Sequence, residues 1–136
     1  MLTGFERVPV LKGRAFMSVT SDGINFNKNV VLRMGKAPHV NFLLNAGEKK
    51  AAIQKCEPDS PDALSFYQTV RNEKNGVRIN LRDVQQTIAN MMGWELSKYN
   101  YRIDGAYIED EKAMIFALEN ARKFDKKNKG LQTLDK

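Results

Sequence analysis

"GINFNKNVVLRMG" at residues 23–35 is echoed half a chain later by "GVRINLRDVQQTIANMMG" at residues 76–93. Both stretches begin with Gly, a branched apolar residue, a polar residue, an apolar residue and Asn, and both end on Met-Gly. A third shared phrase follows each of them, "EKKAAI" at 48–53 and "DEKAMI" at 110–115. Three anchors in the same order indicate an internal duplication with two insertions in the second copy.

Each copy predicts a short strand followed by a capped helix. Ile24 and Phe26 alternate as in a half-buried strand, and Asn27 stands where a helix N-cap is needed. Gly35 and Gly93 stand where a chain leaves a helix in the left-handed conformation, so we expect a positive φ at both. The strand and cap residues of the second copy are Val77, Ile79 and Asn80.

Further strands are predicted around each helix. "AFMSV" at 15–19 precedes the first unit and "SFYQTV" at 65–70 precedes the second. After the first helix, Val40, Phe42 and Leu44 alternate, "NAGEKK" turns, and "AAIQKC" returns. After the second helix, Tyr99, Tyr101 and Ile103 alternate, "DG" at 104–105 predicts a bulge or tight turn, and "EDEKAMIFAL" returns.

The resulting organisation is one α+β, mainly β domain built from two ββ-α-ββ repeats. "EPDSPDA" has the prolines and acids of a linker. The predicted segments are an N-terminal arm at 1–14, a first repeat at 15–56, a linker at 57–64, a second repeat at 65–118 and a basic tail at 119–136.

Composition narrows the class of protein. The chain has 136 residues, 42% of them hydrophobic, which is enough to bury the core of one domain. It contains no apolar run of about 18 residues, so no membrane partner is expected. The N-terminus carries Glu6 and Pro9 and lacks an apolar run of signal-peptide length, which predicts a cytoplasmic location.

Catalytic, metal and cofactor sites are not predicted. Cys56 and His39 are the single cysteine and the single histidine, too few for a structural zinc site, which normally takes four such ligands. A Cys–His catalytic pair would need a third orienting group and a pocket, so a buried thiol and a loop histidine are favoured. There is no Gly-rich phosphate loop and no acid pair placed by a motif, and we therefore predict that the chain is not an enzyme.

The order of elements resembles the AbrB/SpoVT and MazE swapped-hairpin family of small bacterial DNA-binding domains. The resemblance is carried by the capped short helix ending in an apolar residue and Gly, and by the two strands around a charged turn, within residues 24–56. Two features depart from the family pattern. Asn27-Lys28 replaces the proline that commonly opens the helix, and the paired arginines late in the helix are absent, with Leu32-Arg33 and Ala89-Asn90 in their place.

The resemblance implies that the two repeats interleave into one swapped-hairpin barrel, as two chains do in the family. Half of such a barrel cannot bury its apolar strand faces alone. Fusion in one chain would hold the second half at high effective concentration. The resemblance also implies a transcription regulator or antitoxin, as a monomer or homo-oligomer.

The net charge of +6, from 22 Lys and Arg against 16 Asp and Glu, permits a phosphate-rich partner. In the resembling family, duplex DNA is contacted by loops and arms near the strand that precedes the helix. The candidate DNA-binding residues are the cations around the first strands and the helix starts, before and within the two repeats: Lys12, Arg14, Lys28, Arg33, Lys36, Arg71, Lys74, Arg78 and Arg82.

A protein-interaction module of the same fold is the alternative. The missing helix arginines favour it. The segment "AMIFALENARKF" at 113–124 also favours it, since it predicts a strand that continues into an amphipathic helix able to dock on a neighbour.

Overall fold

The computed structural model describes residue 3, residues 13–68 and residues 76–126. Within these residues the fold is mainly β, with two α-helices and a nine-stranded antiparallel sheet curled into a half-barrel. Two 3-10 turns, Glu109–Glu111 and Leu118–Asn120, interrupt the later strands. The elements are β1 (Phe16–Val19), β2 (Ile24–Phe26), α1 (Lys28–Arg33), β3 (His39–Asn45), β4 (Lys50–Lys55), β5 (Leu64–Ser65), β6 (Val77–Ile79), α2 (Arg82–Met92), β7 (Tyr99–Ile108), β8 (Ala113–Ala117) and β9 (Arg122–Asp125).

The strand order is β5-β3-β4-β8-β7-β1-β2-β6, and β9 pairs with β7 beside this path. The long strand β7 joins the two halves of the sheet. Its first residues pair with β9, Tyr101 to Asp104 pair with β1, and Gly105 to Ile108 pair with β8. Because its partners change along its length, β7 lets the sheet curl around a single core.

The core lies inside the curl and draws on both halves of the chain. The Phe26 ring of β2 lies 5.5 Å from that of Phe66 and 5.9 Å from that of Phe116, between ring centroids. All three rings are fully buried, together with Ile24, Ile53, Ile88 and Ile103. Removal of these apolar surfaces from water is the main force that holds the halves together.

Helix α1 begins and ends as predicted. The Asn27 Oδ1 accepts from the backbone N–H of Val30 at 3.2 Å, which confirms the predicted N-cap. After Met34 the chain turns through Gly35 at φ +69°, in the left-handed conformation expected there. Lys36 follows with φ +55°.

Helix α2 confirms one predicted end and corrects the other. Gly93 has φ +70°, and its N–H donates to the Ala89 carbonyl, as expected of a glycine that closes a helix. The predicted N-cap at Asn80 is wrong, because the cap position is Leu81 and its side chain makes no capping hydrogen bond. Instead, Gln85 Oε1 accepts from the Leu81 N–H at 3.2 Å, so a side chain of the first turn satisfies this donor.

The second hairpin turns later than predicted. Asp104 and Gly105 lie inside β7, and the turn runs through residues 109–112, where Lys112 has φ +49°. A Cβ on Gly105 would lie 2.6 Å from Met114 Sδ and 2.7 Å from Phe116 Cε1. The glycine is therefore required by close packing against β8 and not by a turn.

The strand predicted at 65–70 is shorter and begins earlier, at Leu64–Ser65. Phe66 and Tyr67 continue its direction, donating to the carbonyls of Pro38 at 2.7 Å and Ala37 at 3.0 Å. Residues 69 and 70 lie outside the described residues.

The C-terminal segment also differs from its prediction. After β8 the chain makes a 3-10 turn and returns as β9, so residues 113–124 contain no continuing α-helix. Residues 122–125 of the predicted tail belong to the sheet, and residues 127–136 lie outside the described part, as does most of the predicted arm. Among the helices of the described ranges, none has the length and apolar character needed to cross a bilayer.

Candidate nucleic-acid interface

A row of polar and basic residues runs across five neighbouring strands on the solvent side of the sheet. The paired residues, in order from β6 to β9, are Arg78, Asn25, Ser18, Arg102 and Arg122. Side chains of directly paired residues project from the same side of a sheet. The alternate residues of β1, Met17 and Val19, are fully buried in the core, so this row lies on the opposite, outer side, where neighbouring side chains leave Ser18 only 9% exposed.

Two aromatic rings of the same outer side enclose the central arginine. The Arg102 guanidinium carbon lies 4.7 Å from the ring centroid of Phe16 and 4.2 Å from that of Phe124. Burial, and secondarily the charge of Arg122, lower the pKa of Arg102 below its usual value. Arginine remains cationic nonetheless, and stacking on both rings stabilises its charge.

Asp104 is the carboxylate that partly balances these charges. Its Oδ1 accepts from Arg122 Nη2 at 2.9 Å, and its Oδ2 lies 3.7 Å from Arg14 Nη1. We call this surface the arginine face and define it by Arg14, Phe16, Ser18, Asn25, Arg78, Arg102, Asp104, Arg122 and Phe124. These residues include four guanidinium groups and one carboxylate, so the arginine face carries a net positive charge.

A shallow depression of about 330 Å³ opens beside Phe16. Phe16 forms one wall, and Ser18, Asn25, Asn27, Gly76, Val77 and Arg78 contribute others. Arg78 Nε donates to Asn25 Oδ1 at 2.8 Å, which fixes the guanidinium at the rim. An aromatic wall, side-chain amides and a guanidinium thus meet in one small recess.

Only part of the predicted DNA-binding set lies together. Arg14 and Arg78 are on the arginine face, on opposite sides of Phe16. Lys28 and Arg33 are exposed on α1, at its first and last residues. Lys12, Arg71 and Lys74 fall outside the described residues.

The remaining two predicted cations have other surroundings. Lys36 Nζ lies 5.7 Å from the ring centroid of Tyr67, after α1. Arg82 opens α2 and borders a separate depression that Trp94 and Gln85 also line. Neither belongs to the row across the five strands.

Arg102, Arg122, Phe16 and Phe124 were missed by the sequence interpretation. The alternation of Tyr99, Tyr101 and Ile103 already places Arg102 on the side opposite the core. Arg122 falls within the segment predicted as a basic tail. Its place opposite Arg102 depends on β9 returning along β7, which no local pattern indicates.

The outer side of the other half-sheet has a different character. There, Leu43, Ala52, Ile115 and Ala106 form a cross-strand row over β3, β4, β8 and β7. Leu43 is 44% exposed and Ile108, near the end of β7, is 38% exposed. The solvent side of the sheet is therefore divided into a basic, aromatic half and a half whose central row is apolar, which we call the apolar half-sheet.

Comparison of the chain with models of known protein families, with curated proteins and with solved structures found no match. The likeness to the AbrB/SpoVT and MazE family stays a prediction from the order of sequence elements.

Proposed function

We propose that this chain is a DNA-binding protein and that the arginine face contacts the nucleic acid. The observation that carries the proposal is the cross-strand row with Arg78, Arg102 and Arg122. Like charges placed directly opposite on neighbouring strands destabilise a sheet, and Arg102 lies directly opposite Arg122. Asp104 partly balances Arg122 and two rings stack on Arg102. An anionic partner would neutralise the positive charge that the face retains beyond these contacts.

The proposed surface differs from the one expected from sequence. The loops and helix starts were expected to make the contact, whereas the described arginines concentrate on the sheet face. Phosphate contacts from such residues would fix position and orientation on the nucleic acid. A regulatory role, as in the resembling family, belongs to the same proposal.

We further propose that residues 15–56 and 65–118 are interleaved repeats of a swapped-hairpin barrel. The repeats predict that β1, β2, β3 and β4 correspond to β5, β6, β7 and β8 in that order. If each strand is exchanged for its counterpart, the β1–β7 pairing becomes β5–β3 and the β3–β4 pairing becomes β7–β8. The same exchange converts β4–β8 and β2–β6 into themselves. These pairings are all present, whereas the β5–β6 equivalent of the β1–β2 pairing is absent among the described strands. Strands of each unit thus pair with strands of the other, which supports an interleaved pseudo-twofold arrangement.

The proposed function is tested by salt titration of binding to mixed-sequence DNA, followed by fluorescence anisotropy of a labelled oligonucleotide. Log K should fall linearly with log salt, at a slope of about 0.9 for each duplex phosphate neutralised. Arg78→Ala or Arg14→Ala should weaken binding to all sequences and lower that slope by about one unit if the residue is a phosphate contact.

Lys50→Ala is the matched control. Lys50 is an exposed cation on the apolar half-sheet, 3.5 Å from the Glu48 carboxylate, so its removal should leave the slope unchanged. Absence of binding at roughly 50 mM salt, where non-specific attraction is strong, would contradict the proposal.

Protein interaction remains the second candidate because of the apolar half-sheet around Leu43 and Ile108. Solvent-exposed apolar patches often mark protein contact sites. Self-association that sedimentation detects and Leu43→Lys abolishes, together with no binding to DNA, would favour this candidate.

A further inference from the structure

We infer that the arginine face takes single-stranded nucleic acid, with an unpaired base in the depression beside Phe16. This inference rests on the proposed nucleic-acid-binding function and specifies its substrate class. Three properties of the face carry it: its width, the orientation of its arginines and the chemistry of the depression.

The width of the arginine face is incompatible with a groove of duplex DNA. Five adjacent strands, about 4.8 Å apart, make a surface roughly 19 Å across. The major groove is about 12 Å wide and admits a helix or a two-stranded ribbon. The paired bases of a duplex would therefore stay out of reach of the central row.

The central arginines lie along the sheet and do not project from it. Arg102 is stacked between two rings, and the Arg122 side chain, bound to Asp104, is only 19% exposed. Arg14 at the margin is 60% exposed by comparison. The Arg102 guanidinium is covered by both rings, so the ring surface left for an unpaired base to stack on is the side of Phe16 that lines the depression. Bases within a duplex are already stacked on each other and do not offer their faces.

The depression beside Phe16 has the parts needed to hold one base. Arg102 covers one face of the Phe16 ring, and the ring also forms a wall of the recess. The amide of Asn25 and the guanidinium of Arg78 supply hydrogen-bonding groups at its rim. The volume of the recess is about 330 Å³. The smallest pockets that hold small molecules have a volume of roughly 300 Å³.

The test compares three labelled probes of one mixed sequence: single-stranded DNA, single-stranded RNA and duplex DNA. Each is about 16 nucleotides long, the upper site size of many single-strand-binding domains. Fluorescence anisotropy is measured with the full chain at one low salt concentration. We expect tighter binding of at least one single strand than of the duplex. Phe16→Leu should weaken single-strand binding by about fivefold or more, since one stacking partner of a base is lost, while Phe16→Trp should retain it.

Tyr67→Leu is the matched control, because it removes an aromatic ring that also lies beside a cation, Lys36, away from the arginine face. It should leave single-strand affinity unchanged. Thermal unfolding checks that each variant is folded, and Asn25→Ala, which removes an amide from the wall of the depression, replaces Phe16→Leu if that variant fails to fold.

The outcomes separate the inference from the proposed function. Salt-dependent binding with equal or tighter affinity for the duplex would overturn the inference and leave the proposed function standing. Preference for single strands with no loss of affinity in Phe16→Leu, or in Asn25→Ala where it replaces that variant, would also overturn it, since the depression would then not be the contact. Absence of binding to all three probes would overturn both.

Discussion

At the scale of single residues, two kinds of glycine determine what the backbone can do. Gly105 has ordinary strand geometry, but Met114 and Phe116 occupy the space where a Cβ would lie. Gly35 and Gly93 have free space around them but a positive φ. Side-chain substitution is therefore unfavourable at the first for steric reasons and at the other two for conformational reasons.

Gly105→Ala should destabilise the protein by about 1–3 kcal/mol, as expected of overpacking in a core. The methyl group would force Met114 and Phe116 to move at the junction between the two half-sheets. Gly47→Ala is the control, since its Cβ would meet nothing closer than 3.6 Å. Urea unfolding of both variants measures the difference, and equal stabilities would show that β8 packs less closely than described.

Gly35→Val and Gly93→Val should each lower the free energy of unfolding by about 1 kcal/mol or more, because side chains with a Cβ are strained at positive φ. Asn tolerates this conformation better, so Gly93→Asn should cost less than Gly93→Val. Chemical denaturation provides the comparison. Equal effects of Asn and Val would indicate that φ is not the cause.

Asp104→Asn should strengthen nucleic-acid binding and raise the salt slope, because it removes the carboxylate that Arg122 and Arg14 contact. The ion pairs are partly exposed, so the loss of stability should stay within about 1 kcal/mol. Anisotropy titrations and thermal unfolding together check this. Weaker binding with unchanged stability would argue against the arginine face as the contact.

At the scale of elements, Asn27 ties a strand to a helix. Its Oδ1 accepts from the N–H groups of Val30 in α1 and Phe16 in β1, and its Nδ2 donates to the Arg14 carbonyl at 2.6 Å. One side chain therefore caps α1 and holds the start of β1, which also carries the Phe16 ring of the arginine face.

Asn27→Ala should cost about 0.5–2 kcal/mol through loss of the cap, with an additional penalty for the unsatisfied Phe16 N–H. Asn80→Ala is the matched control, since Asn80 occupies the equivalent sequence position but does not cap α2. Unfolding curves should show a loss for Asn27→Ala and almost none for Asn80→Ala. Similar losses of stability for the two variants would mean that the Asn80 side chain makes a stabilising interaction of its own.

At the scale of the whole molecule, one core is shared by both halves of the sequence. Phe26 comes from the first predicted repeat and Phe66 and Phe116 from the second, and the Phe26 ring contacts both of the others. Neither half can bury its own apolar faces without the other.

The chain should consequently unfold in one cooperative transition. Fluorescence of Trp94, which reports on the second half, and far-UV circular dichroism, which reports on both, should give the same midpoint in denaturant. Two separate midpoints would contradict a shared core and the interleaved arrangement with it.

The sequence by itself determined the local elements of this protein. The Asn27 cap, the glycines that close both helices and the hairpin around residues 46–49 follow from interactions within a few residues, and all were predicted. Asn80 and Asp104-Gly105 show the limit of such patterns. At the first position Gln85 accepts from the Leu81 N–H while donating to the Thr20 carbonyl, and at the second contact with β8 requires the glycine, so partners elsewhere in the chain bear on both.

Only the tertiary structure decided how the candidate site is assembled. Arg78, Asn25, Ser18, Arg102 and Arg122 come from five strands that are scattered over more than a hundred residues, and strand pairing alone makes them neighbours. Period-two alternation shows which side of its own strand a residue faces, but it contains no information on which strand lies next to it. Long-range pairing depends on burial of the shared core, and so the arginine face exists only once both halves have folded together.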